Sequence, residues 1–139
     1  MGIIHGTGTG GGGGGSSTDH ILFDKDVFLD GQNQLTDKLV INYRLPSAGY
    51  LVGLTAKMND QRTAGTILLK PARDEVAITE TDLDLYINAS YPLDNSVLHD
   101  TSDANFLFAA SERLGVIITT TTFTPLSNVL SITAYFKRS

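Results

Sequence analysis

The sequence predicts an all-β protein, an antiparallel β-sandwich of jelly-roll type preceded by a flexible glycine-rich N-terminal arm. Three observations lead there. Apolar residues recur at every second position through most of the chain from Leu39 to Phe136, turn-forming residues interrupt them roughly every ten positions, and no segment carries a sustained helical period.

The arm comes first, and we assign it residues 1–19. Positions 6–18 are almost wholly Gly, Thr and Ser, with Gly10, Gly11 and Gly12 at the heart of the run. Such a composition has no side chains to offset the backbone entropy lost on ordering, so a flexible arm is expected. Ile3 and Ile4 at its far end read as a small apolar anchor. With Gly10–Gly12 they form the expected anchoring arm, because glycine lets neighbouring backbones approach closely.

Residues 20–139 form the predicted domain. Leu39, Ile41, Tyr43 and Leu45 make one inward row, closed by Pro46 and Gly49. Val52, Leu54, Ala56 and Met58 make the next, ended by Asn59-Asp60. Ile67 and Leu69 continue the series up to Pro71, where the strand is expected to stop. Leu83, Leu85 and Ile87 alternate with Asp82, Asp84, Tyr86 and Asn88, which predicts a half-exposed strand showing its acids to solvent. Leu114 to Phe123 is dense in Val, Ile and Thr, residues that crowd a helix and fit a pleated sheet. Leu130, Ile132, Ala134 and Phe136 are the last inward row. Residues 74–85 and 103–114 tolerate helix but are too short and irregular to outweigh the strand pattern.

Composition narrows the function. The chain has 139 residues, 41% of them hydrophobic, enough for one self-sufficient core. It has no cysteine, so a disulfide framework and a cysteine-based zinc or redox site are ruled out. A net charge of -5 without a basic stripe argues against nucleic acid and anionic membrane as partners. Neither a secretory signal nor a membrane-spanning stretch is legible, and synthesis in a host cytoplasm is expected.

Several motifs dissolve on inspection. Gly6 and Gly8 with the glycines after them match a dinucleotide loop in letters only, lacking the strand and helix that hold a pyrophosphate. Asp24, Asp26, Asp30 and Gly31 resemble a calcium loop until Phe28 falls on a ligand position. His5, His20 and His99 are isolated and read as solvated surface residues, a metal site built across symmetric copies being the alternative. Asn88-Ala89-Ser90 is a glycosylation sequon by pattern alone. With no nucleophile elbow and no marked carboxylate pair, no catalytic residue, metal site or cofactor is expected, and the chain is not expected to be an enzyme.

Arg62-Thr63-Ala64-Gly65-Thr66-Ile67-Leu68-Leu69, Phe108-Ala109-Ala110-Ser111-Glu112-Arg113-Leu114-Gly115-Val116 and Thr124-Pro125-Leu126 form a set. Together they resemble the small trimeric jelly-roll domains of tailed-bacteriophage virion proteins, whose topology is similar to tumour necrosis factor. The likeness covers roughly the C-terminal 90 residues and consists of turn chemistry. Ser111-Glu112 stands where that family has Gly-Asp, and residues 74–84 form an acidic insert.

The resemblance implies a homotrimeric capsid decoration (cement) or fibre-tip protein, attached to other virion proteins such as the major capsid protein through its arm, with the virion as its location. Tyr43, Tyr50, Tyr135 and Phe136 are the interface aromatics expected, with Tyr86 beside them. The alternative is a receptor- or carbohydrate-binding tail-fibre module. There Tyr86 and Tyr91 would stack on a host-surface glycan, and Asp82, Asp84 or Asn88 would accept its hydroxyl hydrogen bonds.

Overall fold

The computed structural model describes residues 2–4, 20–99 and 102–139. In chain order the strands are β1 (Gly2–Ile4), β2 (His20–Asp30), β3 (Lys38–Arg44), β4 (Gly49–Met58), β5 (Ile67–Arg73) and β6 (Val76–Ala77). They continue with β7 (Leu85–Ile87), β8 (Asp94–Leu98), β9 (Leu107–Phe108), β10 (Arg113–Thr120) and β11 (Ser127–Arg138). All pairings are antiparallel. The first sheet has the order β1-β2-β11-β4-β8, with β9 also on β4. The second has β3-β10-β5, with both β6 and β7 on the far side of β5. Successive long strands therefore change sheets, and the eight principal ones interleave as β2-β11-β4-β8 facing β3-β10-β5-β7, the double Greek key of a jelly roll.

Alternation explains why these residues build two layers. Ile21, Phe23 and Leu29 of β2, Leu54, Ala56 and Met58 of β4, and Leu130, Ile132, Ala134 and Phe136 of β11 all turn inward and are buried. They meet Ile41, Ile67, Leu69, Leu85, Ile87, Leu114, Val116 and Ile118 of the second sheet. Aromatic rings fill the centre: Phe136 lies edge-on to Phe108 at 6.2 Å and to Phe23 at 6.4 Å, and Phe23 stacks on Tyr43 at 5.0 Å. Each buried Phe stabilises the fold by about 1.5–3 kcal/mol through burial alone.

Two of the expected aromatics are thereby placed inside. Phe136 is fully buried, and Tyr43 packs on the core with its hydroxyl donating to the Asp24 carbonyl at 3.2 Å. Period-two alternation puts residue 136 in phase with Leu130 and Ile132, so its ring has no route to the surface. Strand β4 carries a bulge, since Tyr135 opposes Gly53 while Phe136 opposes Leu51. Skipping Val52 lets the whole run Leu51–Leu54 be buried.

Pro71 does not end its strand. β5 runs through it to Arg73, and Pro71 opposes Val116 of β10. Its carbonyl accepts from the Ile78 N–H, so the missing N–H would have pointed to the same side, into the gap between β6 and β7 where no ladder bond is lost. The acidic stretch 74–84 is also ordered. Asp74 and Glu75 both have positive φ (50° and 72°) and join β5 to β6 as a tight two-residue hairpin turn. The strand expected across 82–88 is confined to Leu85–Ile87, with Leu83 buried just before it. In the region 103–114 a single 3-10 turn at Ala104–Phe106 is what the helix-tolerant composition yields.

Gly10, Gly11 and Gly12 lie outside the described residues. Ile3 and Ile4 are in β1, whose backbone pairs with Leu22 and Ile21 along the outer edge of β2.

Candidate functional site

The outer faces of the two sheets differ in their central rows. On the first sheet, cross-strand rows read Asp24–Thr133–Thr55–Ser96 and Asp26–Ser131–Lys57–Asp94. Hydroxyls are tied to acids there: Thr133 donates to Asp24 and Ser131 to Asp26, each at 2.8 Å. These polar rows are satisfied among themselves and by water, while Phe28 and Leu98 stand exposed towards the two edges of the same face.

The second sheet turns apolar residues outward. Its rows are Leu39–Ile117–Lys70, Thr119–Leu68–Tyr86 and Asn42–Gly115–Ala72–Ala77. Gly115 is required there, because a Cβ would come within 2.8 Å of the Ile41 carbonyl and 3.0 Å of the Leu39 side chain. Asn42 donates to Glu75 at 3.0 Å. Beside these rows a groove of about 510 Å³ is lined by Leu68, Val76, Ile117, Asp37, Lys70 and Thr119, among others. Its polar groups are already committed. Thr119 donates to Asp37 at 3.0 Å, and Lys70 pairs with Asp84 at 2.8 Å. What the groove offers a partner is apolar wall, with Val76 69% exposed at its rim.

Sequence reasoning did not single out Leu68, Val76 or Ile117, and it placed Leu39 in an inward row, whereas a bulge at Val40 turns Leu39 outward opposite Ile117. The signal was present in the pairs Leu39-Val40, Leu68-Leu69 and Ile117-Ile118, where both phases of an alternating strand are apolar. A strand apolar on both faces is one that is covered on both.

The five residues expected to form a ligand face go to different tasks. Asp84 has a largely buried carboxylate held by Lys70, against the expectation that it face solvent. Its burial follows from Lys70, which alternation brings out of the sheet beside it. Asn88 uses its side-chain oxygen to accept from the N–H groups of Ser90 and Tyr91, closing a turn on itself. Tyr86 and Tyr91 are 42% and 50% exposed. Among the expected interface aromatics, Tyr50 and Tyr135 are half-buried on the first sheet.

Asp82 instead joins His99 and Asp103. Each offers one donor atom, and the three atoms lie within 4.8 Å of one another. His99 Nε2 stands 3.0 Å from Asp103 Oδ2. The His99 backbone N–H donates to the Val52 carbonyl at 2.7 Å, and the ring lies edge-on to Phe106. Asp103 caps the 3-10 turn, its Oδ1 accepting from the Asn105 N–H at 2.9 Å. That backbone bond is the main cause holding the Asp103 carboxyl below its ordinary range; partial burial opposes it, and His99 adds to it.

No protein-family model matches the chain, and no curated protein does. Solved structures do. A chain of the cyanophage Pam1 capsid asymmetric unit superposes with a TM-score of 0.54 over 96% of this chain and 94% of that chain, at 15% sequence identity. A chain from the acidic stable capsid of Helicobacter pylori bacteriophage KHP30 aligns over 85% of this chain and 89% of that one, with a TM-score of 0.47 and 9% identity. The first likeness establishes a shared fold.

Proposed function

We propose that this chain is a structural protein of a bacteriophage virion, a trimeric decoration (cement) or fibre-tip component that assembles through the outer face of its second sheet. One observation carries the reading. Leu39, Leu68 and Ile117 lie together on the outer face of the second sheet beside a groove whose rim carries the exposed Val76, so this face offers a partner a continuous apolar wall to bury. The fold shared with a Pam1 capsid chain supports it, the more so because the match spans nearly the whole of both chains. A role in assembly rather than catalysis also suits a groove whose Asp37 and Glu75 carboxylates accept from Thr119 and Asn42 and whose Lys70 ammonium pairs with Asp84.

Sedimentation velocity of the intact chain tests the reading. A trimer is expected at micromolar concentration, and Val76→Asp, which charges an exposed side chain without entering the core, is expected to shift it to monomer. A wild-type monomer that also fails to bind purified phage shells would overturn the proposal.

The glycan-binding alternative keeps Tyr86 and Tyr91 as exposed rings. It loses Asn88, whose side-chain oxygen is engaged within the chain, and Asp84, whose carboxylate is largely buried against Lys70.

A further inference from the structure

We propose that Asp82, His99 and Asp103 form a binding site for one divalent transition-metal ion of the zinc or manganese class. This goes beyond the assembly role and does not rest on it.

The donor set fits the ion chemically. Two carboxylates cancel a double positive charge, and one imidazole nitrogen shifts preference from the oxygen-only cations calcium and magnesium toward zinc and manganese. No thiolate is present to favour a softer ion. The net charge of -5 adds a mild long-range attraction for cations.

The spacing fits as well. An ion with ~2.1 Å bonds places adjacent octahedral donors ~3.0 Å apart and opposite ones ~4.2 Å apart, and tetrahedral donors ~3.4 Å apart. His99 Nε2 and Asp103 Oδ2 are already 3.0 Å apart, and all three donors lie within 4.8 Å. The exposed Asp82 side chain would turn to bring its oxygen within the ~4.2 Å limit.

The backbone holds the donors in place before any ion arrives. His99 is anchored to β4 through Val52, and Asp103 is fixed as the cap of the 3-10 turn. Asp82 precedes the fully buried Leu83, with the Asp84 N–H bonded to the Thr81 carbonyl. The ligands come from three separate segments: the β6–β7 connection, the residue after β8 and the turn before β9. A bound ion would tie them together, leaving its remaining positions to water.

The competing account is a plain His99–Asp103 ion pair with Asp82 as a bystander, and Asp82→Asn separates the two. Asp82 is exposed and is not a cap, so this variant should keep the wild-type thermal midpoint in EDTA. The intact, EDTA-stripped chain would be titrated with zinc chloride by isothermal calorimetry, and separately with manganese chloride by electron paramagnetic resonance. Saturable one-to-one binding of at least one ion is expected, weakened at least tenfold in both Asp82→Asn and His99→Ala. The bound ion should also raise the wild-type melting temperature and leave that of Asp82→Asn unmoved. Absence of wild-type binding of either ion up to millimolar concentration, or equal affinity in Asp82→Asn, would overturn the site.

Discussion

At the scale of single residues, Gly65 shows how a turn read from sequence acquires a physical reason. Its φ is +87°, and a Cβ at that position would stand 2.3 Å from the Thr122 carbonyl oxygen and 2.6 Å from the Phe123 Cα. The carbonyl of Gly65 also accepts from Arg62 Nη1 at 2.8 Å, so the guanidinium staples the turn from the inside. Both the left-handed backbone and the close approach exclude a side chain. Gly65→Ala is expected to destabilise the protein by ~2–3 kcal/mol, combining backbone strain with displacement of the Thr122–Phe123 backbone and the buried Phe123 ring. Urea denaturation measures this as a lower midpoint at unchanged slope, and a midpoint within error of wild type would show that the turn can open at little cost.

At the scale of elements, side chains complete what the strands leave open. Asn128 is buried at the start of β11. Its Oδ1 accepts from the Asp60 N–H at 3.0 Å and its Nδ2 donates to the Asp60 carbonyl at 2.9 Å, so it pairs with the chain leaving β4 as a backbone would. Asn128→Ala leaves both groups of Asp60 without that partner, and ~1–3 kcal/mol of stability should be lost. Asn128→Asp should cost at least as much, because a carboxylate cannot donate to the carbonyl; thermal melts of the two variants check the order. Sequence periodicity could not reveal Asn128, since polar residues near turns are common and its partner lies 68 positions away. The inward rows of β4 and β11 were legible because a half-buried strand writes its face into every second residue, whereas β10 was legible only from its density of Val, Ile and Thr. The hairpin at Asp74-Glu75 was not, because those two residues lack the glycine that usually announces positive φ. The metal-type cluster was illegible for a further reason. Its three residues are dispersed in sequence between positions 82 and 103, and neither His99 nor Asp82 shows from sequence that loops bring them together.

At the scale of the whole molecule, β1 raises the question of what the N-terminal arm contributes to stability and what it contributes to attachment. β2 is bonded to β11 along a register running from Asp30–Ser127 to His20–Lys137, whereas β1 adds three residues to its other edge. A three-residue edge strand at a chain terminus is weakly held, and removing it exposes an edge that solvent can satisfy. Under the proposed virion role, the same short strand that closes on β2 would instead pair with a neighbouring sheet edge. Deleting residues 1–19 should therefore change unfolding free energy by no more than ~1 kcal/mol while reducing co-sedimentation with purified phage shells at least tenfold. A truncated chain that still sediments with the shell would assign attachment to the apolar face of the second sheet alone, and one that unfolds would make β1 an integral strand of the sandwich.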